Sequence, residues 1–268
     1  MAAMARRRLG VICAVATGLL AALAGVSPQP AAAVIGGTEA PPGGVPSTVA
    51  LEDSQLGFQF CGGTLVAPQW VLTAAHCMLG YGFQPTVIHV LYGRDDLQTT
   101  AGQEIGVVRV VYSPPVPGPE HRPDLALLQI PPVANPHVAP LMASGVEPSY
   151  DGMTTMATVA GWGTTDPAGT IDSTRLRTAT VPVLSDEQCS ISIATFRAAS
   201  QICAGNAAVG VCTGDSGGPL YVVDTHGTTR VAGVVSYGSD PCNIFPAGFV
   251  QVSANLTWIQ GVIGAPPG

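Results

Sequence analysis

The stretch GVCTGDSGGP, Gly210 to Pro219, places one serine between an aspartate and a pair of glycines. A serine hydroxyl is a weak nucleophile at neutral pH until a base removes its proton and a third group orients that base. Ser216 is therefore either a nucleophile or a residue of a polar turn. A nucleophilic role requires a histidine and a carboxylate elsewhere in the chain.

Two residues outside this stretch fit those requirements. His76 ends the run VLTAAHC beside Cys77, where a disulfide would hold the imidazole rigidly, and it stands out among histidines 76, 89, 121, 137 and 226. Asp124 is a single acid ahead of the apolar run DLALLQI, where a buried charge needs a partner. Taken singly, a histidine is usually structural or at the surface, and such an aspartate usually belongs to a turn.

The composition favours β structure. The 268 residues are 47% hydrophobic and 10% charged, with 33 Gly and 24 Pro, residues that punctuate strands and weaken helices. Short β-type runs between turn signals predict an all-β sandwich or barrel; they cover 47–52, 63–75, 86–93, 104–113, 124–130, 154–163, 229–238 and 248–253. The Pro-rich segment 131–152 predicts a linker between two β modules. Near-helical apolar spacing predicts a helix over about 253–263, with Ser253 as its N-cap.

The N-terminus resembles an export signal. Arg6–Arg8 precede the apolar segment Leu9–Val26, and small residues follow, so residues 1–33 are interpreted as a signal peptide. A membrane anchor and a twin-arginine export route are alternatives. Cleavage after Ala33 would expose Val34 directly, whereas cleavage after Ala24 would leave a propeptide at 25–33. We expect a secreted, extracellular protein with no stable membrane association once the signal is removed.

The net charge and the cysteines limit the classes of function that the chain can have. The formal net charge is −7, there is no lysine, and the absence of a basic cluster argues against nucleic-acid binding. One cysteine, Cys13, lies in the signal. The other six, at 61, 77, 189, 203, 212 and 242, predict disulfides with fifteen possible pairings. Neither paired CxxC motifs nor clustered histidines support a zinc site, so we expect no metal and no cofactor.

Six motifs in order carry a family resemblance: VIGG (34–37), CGGTLVAPQWVLTAAHC (61–77), DLALL (124–128), GWG (161–163), CTGDSGGP (212–219) and VSYG (235–238). The chain resembles the trypsin/chymotrypsin family of serine proteases over essentially all of residues 34–264. The resemblance implies a peptidase domain over 34–268 that is all-β, with two six-stranded antiparallel β-barrels at about 47–130 and 153–252, the linker between them and the C-terminal helix after them.

The resemblance also implies roles for single residues. Ser216 would be the nucleophile, His76 the general base and then acid, and Asp124 the group that orients the imidazole. The N–H groups of Gly214 and Ser216 would form the oxyanion hole. The implied activation pair is the new α-amine of Val34 with Asp215. The implied disulfides are Cys61–Cys77, Cys189–Cys203 and Cys212–Cys242.

The substrate pocket is expected to be uncharged. Its implied lining is Gly210, Val211, Thr213, Ser236, Tyr237, Gly238 and Gly248. Trypsin-like members carry an aspartate six residues before the serine, where this chain has Gly210. The P1 residue, the one after which the chain is cut, is therefore expected to be a medium to large apolar residue such as Phe, Tyr, Leu or Met. The alternative is trypsin-like cleavage after Arg or Lys.

The expected partners are polypeptide substrates and protein protease inhibitors, and the chain is expected to be a monomer. A rival interpretation is a non-catalytic binding module with the same fold, although the chain keeps the serine, histidine and aspartate. An esterase of the α/β-hydrolase type does not fit, because GDSGG is not G-x-S-x-G and the chain order is His–Asp–Ser.

Overall fold

The computed structural model describes residues 34–80, 84–115, 123–152 and 154–264; the expected signal and propeptide, 1–33, lie outside the described residues. Within these ranges no helix is both long enough and apolar enough to span a membrane. The elements are β1 (Thr38–Glu39), β2 (Thr48–Asp53), β3 (Phe58–Ala67), β4 (Trp70–Thr73), β5 (Ile88–Tyr92), β6 (Gln103–Gly106), β7 (Arg109–Tyr112), β8 (Ala126–Gln129), β9 (Met156–Gly161), β10 (Arg177–Pro182), α1 (Asp186–Ser192), β11 (Gln201–Ala204), β12 (Pro219–Val223), β13 (Thr229–Tyr237), β14 (Ala247–Gln251) and α2 (Leu256–Ile263). Short 3₁₀ helices cover His76–Met78, Pro85–Val87 and Ser253–Asn255.

The strands form two curled antiparallel sheets, which confirms the predicted all-β fold. The first sheet has the order β6-β5-β2-β3-β4-β8-β7 and the second β1-β10-β9-β12-β13-β14-β11. Each has seven strands where six are implied. The two-residue β1 extends the edge of the second sheet, and the run 104–113 divides into β6 and β7 at opposite edges of the first.

Each sheet buries apolar side chains of its own. Leu65, Leu72 and Leu127 are fully buried in the first sheet, and Leu220 is fully buried in the second. The segment 131–152 contains none of the named strands or helices, and Leu141 forms an isolated bridge with β13.

Two helical details differ from expectation. Helix α1 lies outside every predicted run and begins with a capping box. The Ser185 hydroxyl accepts the backbone N–H of Gln188 at 3.3 Å, and the Ser185 N–H donates to the side-chain Oε1 of Gln188 at 3.0 Å. The C-terminal helix is present, but Ser253 is not its N-cap. The Ser253 hydroxyl instead donates to Glu147 Oε2 at 2.8 Å.

Candidate active site

Neighbouring strand ends bring His76 and Asp124 together. The 3₁₀ helix that starts at His76 follows β4, and Asp124 lies two residues before β8, which pairs with β4. The ring Nδ1 of His76 is 2.7 Å from Asp124 Oδ2, and the backbone N–H of His76 donates to Asp124 Oδ1 at 2.8 Å. One carboxylate therefore fixes both the imidazole and the backbone that carries it.

A second side chain reaches this carboxylate from the other sheet. The Ser236 hydroxyl, on β13, donates to Asp124 Oδ2 at 2.6 Å. Burial alone would raise the pKa of Asp124, but the hydrogen bonds from His76 and Ser236 outweigh it and the pKa is lowered. The hydrogen bond to Asp124 raises the pKa of His76, while burial acts in the opposite direction. The pair is thus an ionised carboxylate beside an imidazole of increased basicity.

Ser216 is held against the first sheet by its backbone. Its carbonyl oxygen accepts the N–H of Gly62, on β3, at 2.7 Å. The next residue, Gly217, has φ +78°, and a Cβ there would lie 2.1 Å from Thr73 Oγ1 at the end of β4. Only glycine allows an approach this close in this backbone conformation. The loop therefore places Ser216 beside the strand end that leads into the histidine.

The hydroxyl and the backbone N–H of Ser216, unlike its carbonyl oxygen, are available to a ligand. Within the described residues, neither its hydroxyl nor its backbone N–H makes a hydrogen bond, and the N–H of Gly214 donates none either. The hydrogen bond from the Ser216 hydroxyl to His76 is thus not formed in this structure. Such contacts are often long in unliganded sites and tighten when substrate binds. Gly214 has φ +92°, and a Cβ on it would lie 3.0 Å from Gly163 Cα.

Asp215 is buried and has no titratable partner among the described residues. Its carboxylate accepts the backbone N–H groups of Gly163 and Cys212, each at 2.9 Å. Burial raises the pKa of Asp215 to about 7, and the two N–H groups oppose this rise. The site is therefore suited to a buried cation that would restore the charge.

The segment that begins at Val34 docks near this loop. Val34 is fully buried in the apolar cluster that includes Val211 and Phe249. Ile35 pairs with Gly210, whose N–H donates to the Ile35 carbonyl at 3.1 Å. An α-amine exists at Val34 only if the chain is cut before it.

A cavity of about 200 Å³ lies next to Ser216. Among the described residues no charged side chain lines it; the lining is Val211, Cys212, Thr213, Ser216, Val235, Tyr237, Gly238, Ser239 and Cys242. The expected lining residues Gly210 and Gly248 are not among them. A Cβ on Gly210 would lie 2.4 Å from Asn243 Oδ1, and one on Gly248 would lie 2.1 Å from Tyr237 Cζ. Ser236, also expected in the lining, instead binds Asp124.

The described chain also has a cavity of about 350 Å³ around Gly93 and Asn135 and two cavities that are larger still. One, of about 740 Å³, lies between the segments 41–47 and 136–140 and includes none of the candidate catalytic residues. The other, of about 590 Å³, includes Gly214, Phe58 and Phe60. Size alone would therefore favour a cavity remote from the serine, whereas the chemistry favours the smaller cavity beside Ser216.

The three disulfides are the pairs that the resemblance implies: Cys61–Cys77, Cys189–Cys203 and Cys212–Cys242. The first lies against the imidazole, with Cys77 Sγ 3.8 Å from His76 Nε2. Cys61, His76 and Cys77 are close enough to suggest a metal site. Because both sulfurs are joined in a disulfide, they are not available as thiolate ligands.

Comparison with known proteins identifies the family. A family model described as Trypsin matches residues 34–259. The chain is 36% identical to a trypsin of Saccharopolyspora erythraea over 207 residues, covering 76% of this chain and 86% of that protein. It is 32% identical to brachyurin of Leptuca pugilator over 238 residues, covering 87% and 100%.

A solved structure agrees with these sequence matches. Neuropsin, a serine protease expressed in the limbic system of mouse brain, superposes with a TM-score of 0.71 at 31% identity, covering 85% of this chain and 98% of its own. The chain therefore belongs to the trypsin family of serine endopeptidases.

Proposed function

We propose that the chain is a secreted endopeptidase in which Ser216 is the nucleophile, His76 the base and Asp124 the orienting group. The observation that carries this proposal is the pair of hydrogen bonds by which Asp124 holds both the ring and the backbone of His76. These bonds leave Nε2 as the ring nitrogen that can accept the serine proton. A binding module would have no need for this arrangement.

The proposed reaction has two halves. In the first, His76 Nε2 takes the Ser216 proton as the serine oxygen bonds to the scissile carbonyl carbon, and the carbonyl oxygen becomes an oxyanion bound by the N–H groups of Gly214 and Ser216. The imidazolium then gives its proton to the leaving amine as the C–N bond breaks, which leaves an ester on Ser216. In the second half water attacks the ester carbonyl carbon and gives its proton to His76. The bond to the Ser216 oxygen then breaks, His76 returns the proton to that oxygen, and the acid product leaves.

We propose medium to large apolar P1 residues: Phe, Tyr, Leu or Met. An uncharged pocket offers no counter-charge to a buried guanidinium or ammonium group, and burying such an ion unpaired is unfavourable. One methylene contributes only about 0.8 kcal/mol in an apolar pocket, so discrimination among these side chains is broad. Cleavage after Arg or Lys is the competing outcome.

Maturation is proposed to create the cation that Asp215 lacks. Cleavage before Val34 would release an α-amine next to a segment that already packs beside Gly210. Pairing of this amine with Asp215 would fix the Gly214–Ser216 loop. The mass of the secreted protein distinguishes a start at Val34 from a start at Gly25. Gel filtration with and without a protein protease inhibitor tests the proposed monomer and inhibitor binding.

The direct test is to digest an unstructured protein with the mature enzyme and with its Ser216→Ala variant, and to map every cut by mass spectrometry. Cuts after Phe, Tyr, Leu or Met that the variant does not make support both mechanism and specificity. Cuts after Arg keep the mechanism and refute the P1 proposal. The absence of cuts from a correctly processed, folded enzyme would favour the binding module.

A further inference from the structure

The cavity beside Ser216 is lined by residues that are far apart in sequence. One wall is Val211–Thr213, and the other wall includes Cys242. The Cys212–Cys242 disulfide joins the two walls, with the Cα atoms 5.5 Å apart. Just outside the lining residues, Gly210 precedes Val211 and Asn243 follows Cys242. These two residues therefore meet beyond the last lining residues of the cavity.

The carboxamide of Asn243 occupies the space in front of Gly210. A Cβ on Gly210 would lie 2.4 Å from Asn243 Oδ1, 3.2 Å from Cγ and 3.3 Å from Nδ2. Asn243 is only 9% exposed, and its buried Nδ2 has no hydrogen-bond partner among the described residues. The absence of a side chain at Gly210 is thus compensated by the side chain of another residue.

The backbone around this contact is fixed on both sides. The N–H of Cys242 donates to the Pro167 carbonyl at 2.8 Å, and the N–H of Ile244 donates to Ser239 Oγ at 2.8 Å. Asn243 itself has φ +64°, a left-handed conformation that asparagine and glycine tolerate better than other residues. The backbone that carries the Asn243 carboxamide is therefore held in place next to Gly210.

We propose that the carboxamide of Asn243 forms the base of the P1 pocket and determines which P1 side chains fit; this inference rests on the proposed function. This inner end of the pocket is polar but uncharged. The carboxamide makes the pocket shallower than it would be with Gly210 alone. The carboxamide excludes long cationic P1 side chains in two ways. It carries no negative charge, and it occupies the space that an aspartate side chain at position 210 would need. Asn243 thus acts as a specificity-determining residue.

The test compares the wild type with Asn243→Gly, Gly210→Asp and the double variant on peptides that differ only in P1: Leu, Phe or Arg. Asn243→Gly keeps the left-handed backbone and removes the carboxamide, so the Phe-to-Leu ratio of kcat/KM should rise about tenfold. Gly210→Asp alone should raise the Arg-to-Phe ratio less than threefold, because its side chain meets Asn243. The double variant should raise that ratio about a hundredfold, far more than the two single changes combined.

Asn135→Gly is the matched control. Asn135 is also left-handed, with φ +52°, but it is exposed and lies outside the cavity, so its replacement should leave every P1 ratio unchanged. The inference is overturned if Asn243→Gly leaves the Phe-to-Leu ratio unchanged, or if Gly210→Asp alone admits Arg as well as the double variant does. Titration of each variant with a phosphonate that labels catalytic serines separates the two proposals. Failure of the wild type to be labelled refutes the proposed function, whereas normal labelling with unchanged ratios refutes only the role of Asn243.

Discussion

The carboxylate of Asp124 accepts three hydrogen bonds that come from both sheets. Two come from His76 and one from Ser236. Hydrogen bonds to an ionised group are shorter and stronger than those between neutral groups, which is why this partly buried carboxylate stays charged. Because both the ring and the backbone of His76 bind this carboxylate, the imidazole has one favoured orientation before any substrate arrives.

The activity is expected to depend on pH through His76. His76 must be neutral to accept a proton, and its pKa is raised above 6.5, mainly by the hydrogen bond to Asp124. We therefore expect kcat/KM of the wild type to fall as the pH drops through a value above 6.5. Asp124→Asn should lower kcat by about 10⁴-fold and move this acid limb to lower pH, because the raising partner is gone. Rate–pH profiles of both proteins on one peptide check this, and an unmoved limb would contradict it.

Sequence motifs supply some of these residues and not others. His76, Asp124 and Ser216 each stand in a string of neighbours that can be recognised locally. Ser236 belongs to such a string but is expected in the pocket lining, because its actual partner Asp124 is 112 residues away. Asn243 is in no motif. The sequence indicates it only indirectly. The implied Cys212–Cys242 disulfide places Asn243, which follows Cys242, near Gly210 and Val211, which precede Cys212.

At the scale of elements, two disulfides of similar loop length provide a matched comparison. Cys61–Cys77 spans 16 residues and Cys189–Cys203 spans 14. Replacing either pair by serine should lower the free energy of unfolding by about 3 kcal/mol. Only loss of the first pair, which lies against the His76 ring, should also lower kcat, by at least about tenfold. Urea unfolding and turnover measure both effects; equal losses of kcat would show that the proximity to His76 is unimportant.

The stability of the fold is expected to depend on pH through Asp215, and the dependence should differ once the chain starts at Val34. In a chain that extends before Val34, Asp215 has a folded pKa of about 7 against an ordinary value of 3.8. A carboxyl group whose pKa is raised by folding stabilises the fold at pH values below its pKa in the unfolded chain. This stabilisation is lost as the pH rises through about 7. In Ser216→Ala protein that keeps residues 25–33, we expect Tm to fall from about pH 4 to 7. The same protein starting at Val34 should show a smaller fall.

The control for this experiment is Asp215→Asn in the extended protein, where the side chain no longer titrates and the dependence of Tm on pH should weaken. Parallel curves for all three proteins would mean that Asp215 does not interact with the new α-amine.

The sequence predicts some strands closely and misses others of the same length. The runs 86–93, 154–163 and 229–238 correspond closely to β5, β9 and β13. The run 63–75 contains the turn between β3 and β4, since an apolar pattern continues through a tight hairpin. No predicted run covers β10, β11 or β12, and α1 is too short, at seven residues, for helical periodicity to emerge.

At the scale of the whole molecule, the two sheets are linked through buried hydroxyls. Tyr221, on β12 of the second sheet, is hydrogen-bonded to Ser47 at 2.8 Å and to Thr48, on β2, at 3.0 Å. Tyr221→Phe leaves both hydroxyls buried without this partner, so the free energy of unfolding should fall by about 1–3 kcal/mol. Because Tyr221 does not contact the candidate catalytic residues, kcat should change less than about twofold. Urea unfolding and turnover check this, and unchanged stability would contradict it.

The most direct measurement is the site of acylation. The enzyme is mixed with an activated ester of an apolar amino acid, quenched in acid during the first turnover and digested for peptide mass analysis. An acyl group on the peptide that contains Ser216, absent in Ser216→Ala and strongly reduced in a His76→Ala variant of native fold, is the expected result. An acyl group on another residue, or none on a folded enzyme that still cuts peptides, would contradict the assignment of Ser216 as the nucleophile.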